Sequence, residues 1–360
     1  MPDINLPLES SRPVVAIDGT SVPDLAVALA EMRVEERSDG MARCELAFQG
    51  WGLTRDGAHG YPLFDRGRLE FGKRIEVKLQ TDSIFSGRIS AIGGHFPDVG
   101  AGGVLVIVQA EDRLQDLRMT RRTRCFAQAS DADIARRIAG DHGLSAQITL
   151  PGPTHAVVAQ VNQSDLAFLR ERARAAGGEV WVEGDALHVA PRPSRAGGAT
   201  VALDYGSTLT AFDVTADLAL QRTKLSVAGW DMAAKQAIRE EATGSVLSGE
   251  LDGGDGGADL LRRAFGERAD TVAHLAPADA AEARALAESW MRQIGRRFVT
   301  ARGTATPAAR LRCGARVEVG GVGALFNGKY LVTEVCHRFD LERGLRTDFA
   351  AERAAVGRPG

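Results

Sequence analysis

The chain has 360 residues, 44% hydrophobic and 25% charged, with a formal net charge of −3. That length supports two to four domains with their own cores, and the charge balance excludes a chain built as a whole to bind nucleic acid. No apolar run reaches membrane-spanning length, and no basic-then-apolar signal opens the sequence MPDINLPLESSRP. The four cysteines, Cys44, Cys125, Cys313 and Cys336, form no CxxC pair and read as reduced thiols of a protein made in the cytoplasm. Their spacing does not suit zinc.

In chain order, Val14 to Ile17 is a short strand closed by the turn Asp18-Gly19. Met32 to Glu36 alternates, and Ser38-Asp39-Gly40 makes the next turn. Cys44, Leu46 and Phe48 share one strand face. Ile75, Val77 and Leu79 oppose Arg74, Glu76 and Lys78. Val104 to Val108 is apolar on both faces, as expected of a strand covered outside by another domain or subunit. Short strands with Gly turns read as a sandwich or closed barrel.

From Leu114 the period becomes helical. Ser130-Asp131-Ala132-Asp133 is a capping box, and His142-Gly143 closes its helix. A second helix starts at Ser164, carries Leu166, Leu169, Ala173 and Ala176 on one stripe, and stops at Gly177-Gly178. EVWVEGDALHV is a hairpin around Gly184-Asp185. Pro191 to Thr200 reads as a linker. After Trp230, MAAKQAIREEA and DLLRRAF read as helical, separated by the Gly/Asp loop SGELDGGDGGAD. A long helix follows Pro277, with Leu286, Trp290 and Ile294 at four-residue spacing.

One stretch occurs twice. FGKRIEVKLQTDSIFSGRI, from Phe71, returns as CGARVEVGGVGALFNGKY, from Cys313. Gly72, Arg74, Glu76 and Val77 match Gly314, Arg316, Glu318 and Val319 at offset 242; Phe85 and Gly87 match Phe326 and Gly328 at offset 241. Upstream, Leu46, Gly50 and Trp51 match Leu225, Gly229 and Trp230 at offset 179, so the second copy holds an insertion of 63 residues. The expected fold is mainly β with α/β: two similar β-barrels, a small α/β domain between them, and a helical insertion in the second. The domains are 12–113, the first barrel; 114–200, the α/β domain and linker; 201–230 plus 303–353, the second barrel; and 231–302, the insertion.

No GxSxG, Walker, GxGxxG or HExxH motif occurs. No catalytic, cofactor-binding or metal residue is assigned, and no enzyme activity is expected. His95 and His337 stand at similar places in the two copies and read as strand-end packing residues. Asp252, Asp255 and Asp259 suggest either calcium or a flexible loop. Arg118, Arg121, Arg122 and Arg124 read as a phosphate site or as a solvated or interdomain basic patch, without interleaved aromatics for nucleic acid.

The stretch QVNQSDLAFLRERARAAGGEVWVEGDALHV, Gln160 to Val189, resembles the phage late control gene D family, the baseplate hub of contractile tails, similar to the first part of VgrG in type VI secretion. LRMTRRTRCF with SDADIARRIAGDHGL, GWDMAAKQAI and YLVTEVCHRFD resemble the same family. The resemblance spans about Val14 to Arg353. It implies a homotrimer that joins a hexameric tail tube to a trimeric central spike among other baseplate proteins. It implies a virion tail baseplate or injection particle assembled in the bacterial cytoplasm, without membrane or specific nucleic-acid contacts. VgrG proteins continue into a spike; this sequence stops at AAVGRPG, so a separate spike chain is expected. The alternative is a tail-associated cell-wall hydrolase or glycan-binding protein, which needs paired carboxylates or a metal.

Overall fold

The computed structural model describes residues 12–54, 56–99, 102–192, 195, 200–232 and 234–358. The opening segment and most of the expected 191–200 linker lie outside the described residues. In chain order the elements begin with β1 (Val14–Ile17), β2 (Thr20–Ser21), α1 (Pro23–Ala28), β3 (Leu29–Arg37), β4 (Arg43–Gln49), β5 (Gly52–Leu53), β6 (His59–Gly60), β7 (Arg74–Leu79), β8 (Asp82–His95) and β9 (Leu105–Glu111). Then come α2 (Leu114–Arg118), β10 (Arg121–Ser130), α3 (Asp131–Asp141), β11 (Ser145–Ile148), β12 (Thr154–Ser164), α4 (Asp165–Ala175), β13 (Gly178–Glu183) and β14 (Ala186–Pro191). The last part holds β15 (Thr200–Asp204), β16 (Leu209–Ala216), β17 (Lys224–Asp231), β18 (Gln236–Thr243), β19 (Asp255–Gly256), α5 (Gly257–Phe265), β20 (Ala269–Val272), α6 (Ala280–Arg296), β21 (Val299–Ala305), β22 (Arg316–Gly320), β23 (Gly328–Asp340), β24 (Gly344–Arg353) and β25 (Ala355–Val356).

The fold is mainly β, in two compact units. The first takes the described residues up to Gln115 with Thr304–Arg312 and Glu334–Phe349. Its strand order is β24–β23–β3–β4–β9–β8–β7–β1–β2, using the 334–349 parts of β23 and β24. Alternation builds its core: Ile75, Val77 and Leu79 of β7 are buried with Leu46 and Phe48 of β4 and Val106 and Val108 of β9. Each such side chain contributes roughly 1.5–3 kcal/mol on burial. The outward Leu105 and Ile107 of β9 are half-buried. A closed barrel was expected; among the described residues the path is open, with β2 at its end and no pairing of β2 back onto β24. Segment 334–349 joins this unit because β23 pairs with β3, Cys336 facing Glu35. Spacing along the chain carries no sign of that pairing.

The second unit takes Asp116–Gly303, Cys313–Thr333 and the residues from Ala350. Its α/β module follows the expected caps. Ser130 accepts from the Asp133 N–H at 3.2 Å, and Asp133 accepts from the Ser130 N–H at 3.1 Å. Ser164 caps α4 in the same way. Gly143 and Gly177, at φ 64° and 73°, end the two helices. β13 and β14 form the hairpin around Gly184, and β11 joins it in parallel.

Two segments differ from expectation. MAAKQAIREEA is not a helix; β17 turns back into β18, with Trp230 facing Ala237. Ile238 and Ala242 then point into a core with Leu225, Val227 and Leu286, so two-residue alternation outweighs helix propensity. The Gly/Asp stretch is ordered: a 3₁₀ turn spans Gly244–Glu250, and β19 pairs with β25.

The repeated hairpins share a backbone signature. Gly72 and Gly314 have φ of 79° and 86°. Their N–H groups donate to the Ile89 and Val332 carbonyls, both at 2.8 Å, and the return bonds run from Ile89 to Lys73 and from Val332 to Ala315. Arg74 faces Arg88, and Arg316 faces Leu331. The returning strands are thus offset by 243, so Phe85 and Gly87 correspond to Gly328 and Tyr330, two residues beyond the sequence alignment. The second hairpin gains a residue instead of losing one. The upstream halves stand differently: β4 lies between β3 and β9, while β17 lies between β18 and β20 in a separate sheet.

Candidate interaction surface

The first unit carries a cluster of rings outside its core. β4 ends at Gln49, and the chain then builds the small β5–β6 hairpin, whose Thr54 N–H donates to the Ala58 carbonyl at 2.8 Å. This hairpin sets Trp51 beside His59, stacked at 6.4 Å, and against Tyr61, edge-on at 5.1 Å. Tyr61 meets Phe64 at 6.0 Å and Phe96 at 5.7 Å, and Phe64 stacks on Phe96 at 5.8 Å. Edge-to-face pairs of this kind contribute about 0.5–1.5 kcal/mol each, so the rings hold one another in place. Gly94 of β8 makes room beneath them, since a Cβ there would sit 2.8 Å from both Phe64 and Phe96.

The rings are ordered yet open to water. Trp51 is 58% exposed, Phe96 59%, Tyr61 40% and the neighbouring Leu53 64%. Three rings of about 200 Å², each half exposed, leave on the order of 300 Å² of aromatic surface. A patch of that size is at the lower end of the largest apolar patches that monomers expose, which are often functional. Its rim is polar at Asp56, where hydrogen bonds from Thr54 and the Ala58 N–H hold the carboxyl below its usual range. A partner excluding water here would gain apolar burial at the centre and keep solvated charge at the edge. Sequence reading used Trp51 only as a landmark. The missed signal is aromatic density in a Gly-rich connection, with Trp51, Tyr61, Phe64 and Phe71 in a stretch lacking strand periodicity.

The basic run is consumed within the second unit. Arg124 pairs with Asp165 at 2.8 Å and Asp141 at 2.6 Å, and Arg122 reaches Asp165 at 3.2 Å. His142 and Gln160 also bond Asp165, both at 2.8 Å. Burial alone would raise the Asp165 carboxyl; these hydrogen bonds and cations outweigh it and hold the pKa below the usual value. The equivalent N-terminal residue of α3, Asp131, is held by Arg172 at 2.6 Å and by His155. The run therefore ties strand β10 to the start of α4 through Asp165 and to the end of α3 through Asp141, while Arg172 of α4 and His155 of β12 hold the start of α3. Asp255 pairs with Arg263 at 3.0 Å and Asp259 with Arg262 at 3.1 Å. Among the described residues, no group of three His, Cys, Asp or Glu is placed to hold a metal. His95 ends β8 and is exposed, whereas His337 is buried within β23.

Residues 10–340 match the family model of the Alg8 N-terminal domain. The chain belongs to the Alg8 N-terminal domain family. No curated protein matches this member of the family. Solved structures share its fold at low identity. A prophage tail protein from Shewanella oneidensis is 13% identical with a TM-score of 0.70, over 96% of this chain and 98% of that one. A tail protein from Neisseria meningitidis is 12% identical with a TM-score of 0.66, over 95% and 96%. An Escherichia coli type VI secretion component, itself described as similar to phage T4 tail proteins, is 12% identical with a TM-score of 0.58, over 96% and 79%. Among the described residues of this family member, no helix is long and apolar enough to cross a membrane.

Proposed function

We propose that this chain is a structural hub of a contractile phage tail or related injection particle, and performs no bond-breaking chemistry. The observation that carries the reading is the fold shared with a phage tail protein over nearly the full length of both chains. On this reading the chain is a homotrimer within the baseplate, joining a hexameric tail tube to a trimeric central spike. The two hairpins that begin at Gly72 and Gly314 descend from a duplicated unit. Three chains carrying two such units present six related docking edges, matching a sixfold tube with a threefold object. The resemblance to late control gene D proteins supports the same arrangement.

The aromatic surface around Trp51 takes a second copy of this chain as its partner. A standard interface buries about 800 Å² per partner around a centre rich in Tyr, Trp and Phe, and this patch has the composition and size of such a centre. Mass measurement at micromolar concentration tests the reading. The wild-type chain is expected at three times the monomer mass, alone or with spike protein, and a Trp51→Ser/Phe96→Ser variant at the monomer mass with unchanged circular dichroism. A trimeric double variant would move the interface elsewhere.

A further inference from the structure

The second unit carries a partly open cavity of about 120 Å³, room for several waters. Five cations line it: Arg192, Arg296, Arg316, Lys329 and Arg353. Three carboxylates oppose them, Glu250, Asp252 and Glu352, which leaves a formal surplus of two positive charges. The ion pairs concentrate that surplus. Glu250 takes Arg296 with both oxygens, at 2.8 and 2.6 Å. Glu352 lies 2.9 Å from Arg192, which also pairs with Glu179 outside the cavity. Arg316 and Lys329 are exposed and have no ion-pair partner among the described residues; Glu318 faces Lys329 across the strands without bonding it.

Arg353 is the deep cation, 9% exposed. Its Nη1 donates to the Asn327 carbonyl at 2.9 Å, and its guanidinium lies 5.7 Å from the Tyr330 ring. Among the described residues its Nε is buried without a hydrogen-bond partner. A guanidinium has five N–H donors and cannot shed its charge, so burial with an unmet donor and no ion-pair partner among the described residues is unfavourable unless an anion compensates.

We propose that this cavity binds a tetrahedral dianion of the phosphate class. The surplus charge equals that of the dianion, the volume admits one with little water, and the basic rim of Arg316 and Lys329 draws it in. The probe is inorganic phosphate, titrated calorimetrically into the full chain at constant ionic strength, with chloride as control and a nucleoside monophosphate as second ligand. One saturable phosphate site is expected, with a rise in unfolding midpoint that chloride does not produce. Arg316→Ala/Lys329→Ala changes only exposed side chains, so it should keep its midpoint in chloride and bind phosphate at least tenfold more weakly. Arg353→Met should abolish binding. Weaker binding of the nucleotide identifies the free ion as the ligand; equal binding identifies a phosphomonoester. Absence of a saturable site, an equal response to chloride, or unchanged binding by the rim variant would overturn the proposal. None of these readouts depends on trimer formation.

Discussion

Replacing His337 by Asn should remove an acid-sensitive step from the stability of the first unit. His337 is 2% exposed in β23, with Nδ1 3.0 Å from Thr347 Oγ1. Burial, reinforced by the nearby Arg312 charge, holds its pKa down to about 4 from 6.5; Glu36 and the Leu311 backbone pull weakly the other way. In the unfolded chain the imidazole takes a proton near pH 6.5, while in the folded chain it stays neutral until about pH 4. Over that window the unfolded state binds more protons, so stability falls as the pH falls. The contribution is complete above pH 6.5 and is lost on acidification to pH 4. The gap corresponds to about 3 kcal/mol. Asn keeps a polar partner for Thr347 and does not titrate. Urea unfolding at pH 7.5, 6.5, 5.5 and 4.5 measures the effect. Asn leaves a small cavity and lowers stability at every pH, but the wild type should lose roughly 2–3 kcal/mol more than the variant across the series. Parallel pH profiles would refute the reasoning.

Other variants probe other layers. Val106→Asp places a carboxylate at a fully buried position of β9 and should cost several kcal/mol, read as loss of protease resistance in the first unit. Asp165→Asn leaves Arg122, Arg124 and His142 around a neutral amide and should destabilise the α/β module by about 2–4 kcal/mol at pH 7. Because the Asp165 pKa is depressed, that difference should shrink as pH falls through the acid range, measurable by unfolding at pH 7 and pH 3. Gly94→Val should push Phe64 and Phe96 apart and weaken self-association with a smaller effect on unfolding, read by sedimentation at several concentrations.

Local rules made much of the fold legible. The serines Ser130 and Ser164, followed by acids and stopped by glycines, mark both helices of the α/β module because capping satisfies backbone groups within a few residues. Val14–Ile17 and its Asp18-Gly19 turn are legible for the same reason. Long-range choices were not. MAAKQAIREEA suits a helix until β17 and α6 offer Ile238 and Ala242 a core. The late strand β23 is shared between two groups of neighbours, and only the folded chain shows that Cys336 belongs beside Glu35. Gly72 and Gly314 were recognisable because left-handed turns select glycine, while the returning strands were misaligned by two residues because turn length leaves little trace in composition. The aromatic surface carries no periodicity, so Trp51, Tyr61 and Phe96 emerge as a group only when three separate connections meet.

The proposed hub assembles by threefold association and adapts a sixfold tube to a threefold spike. Native mass measurement of the chain at micromolar concentration, alone and with its candidate spike and tube proteins, addresses it most directly. The account predicts three chains per particle and a complex that pairs three hub chains with three spike and six tube subunits. A species that stays monomeric under every one of these conditions would contradict it.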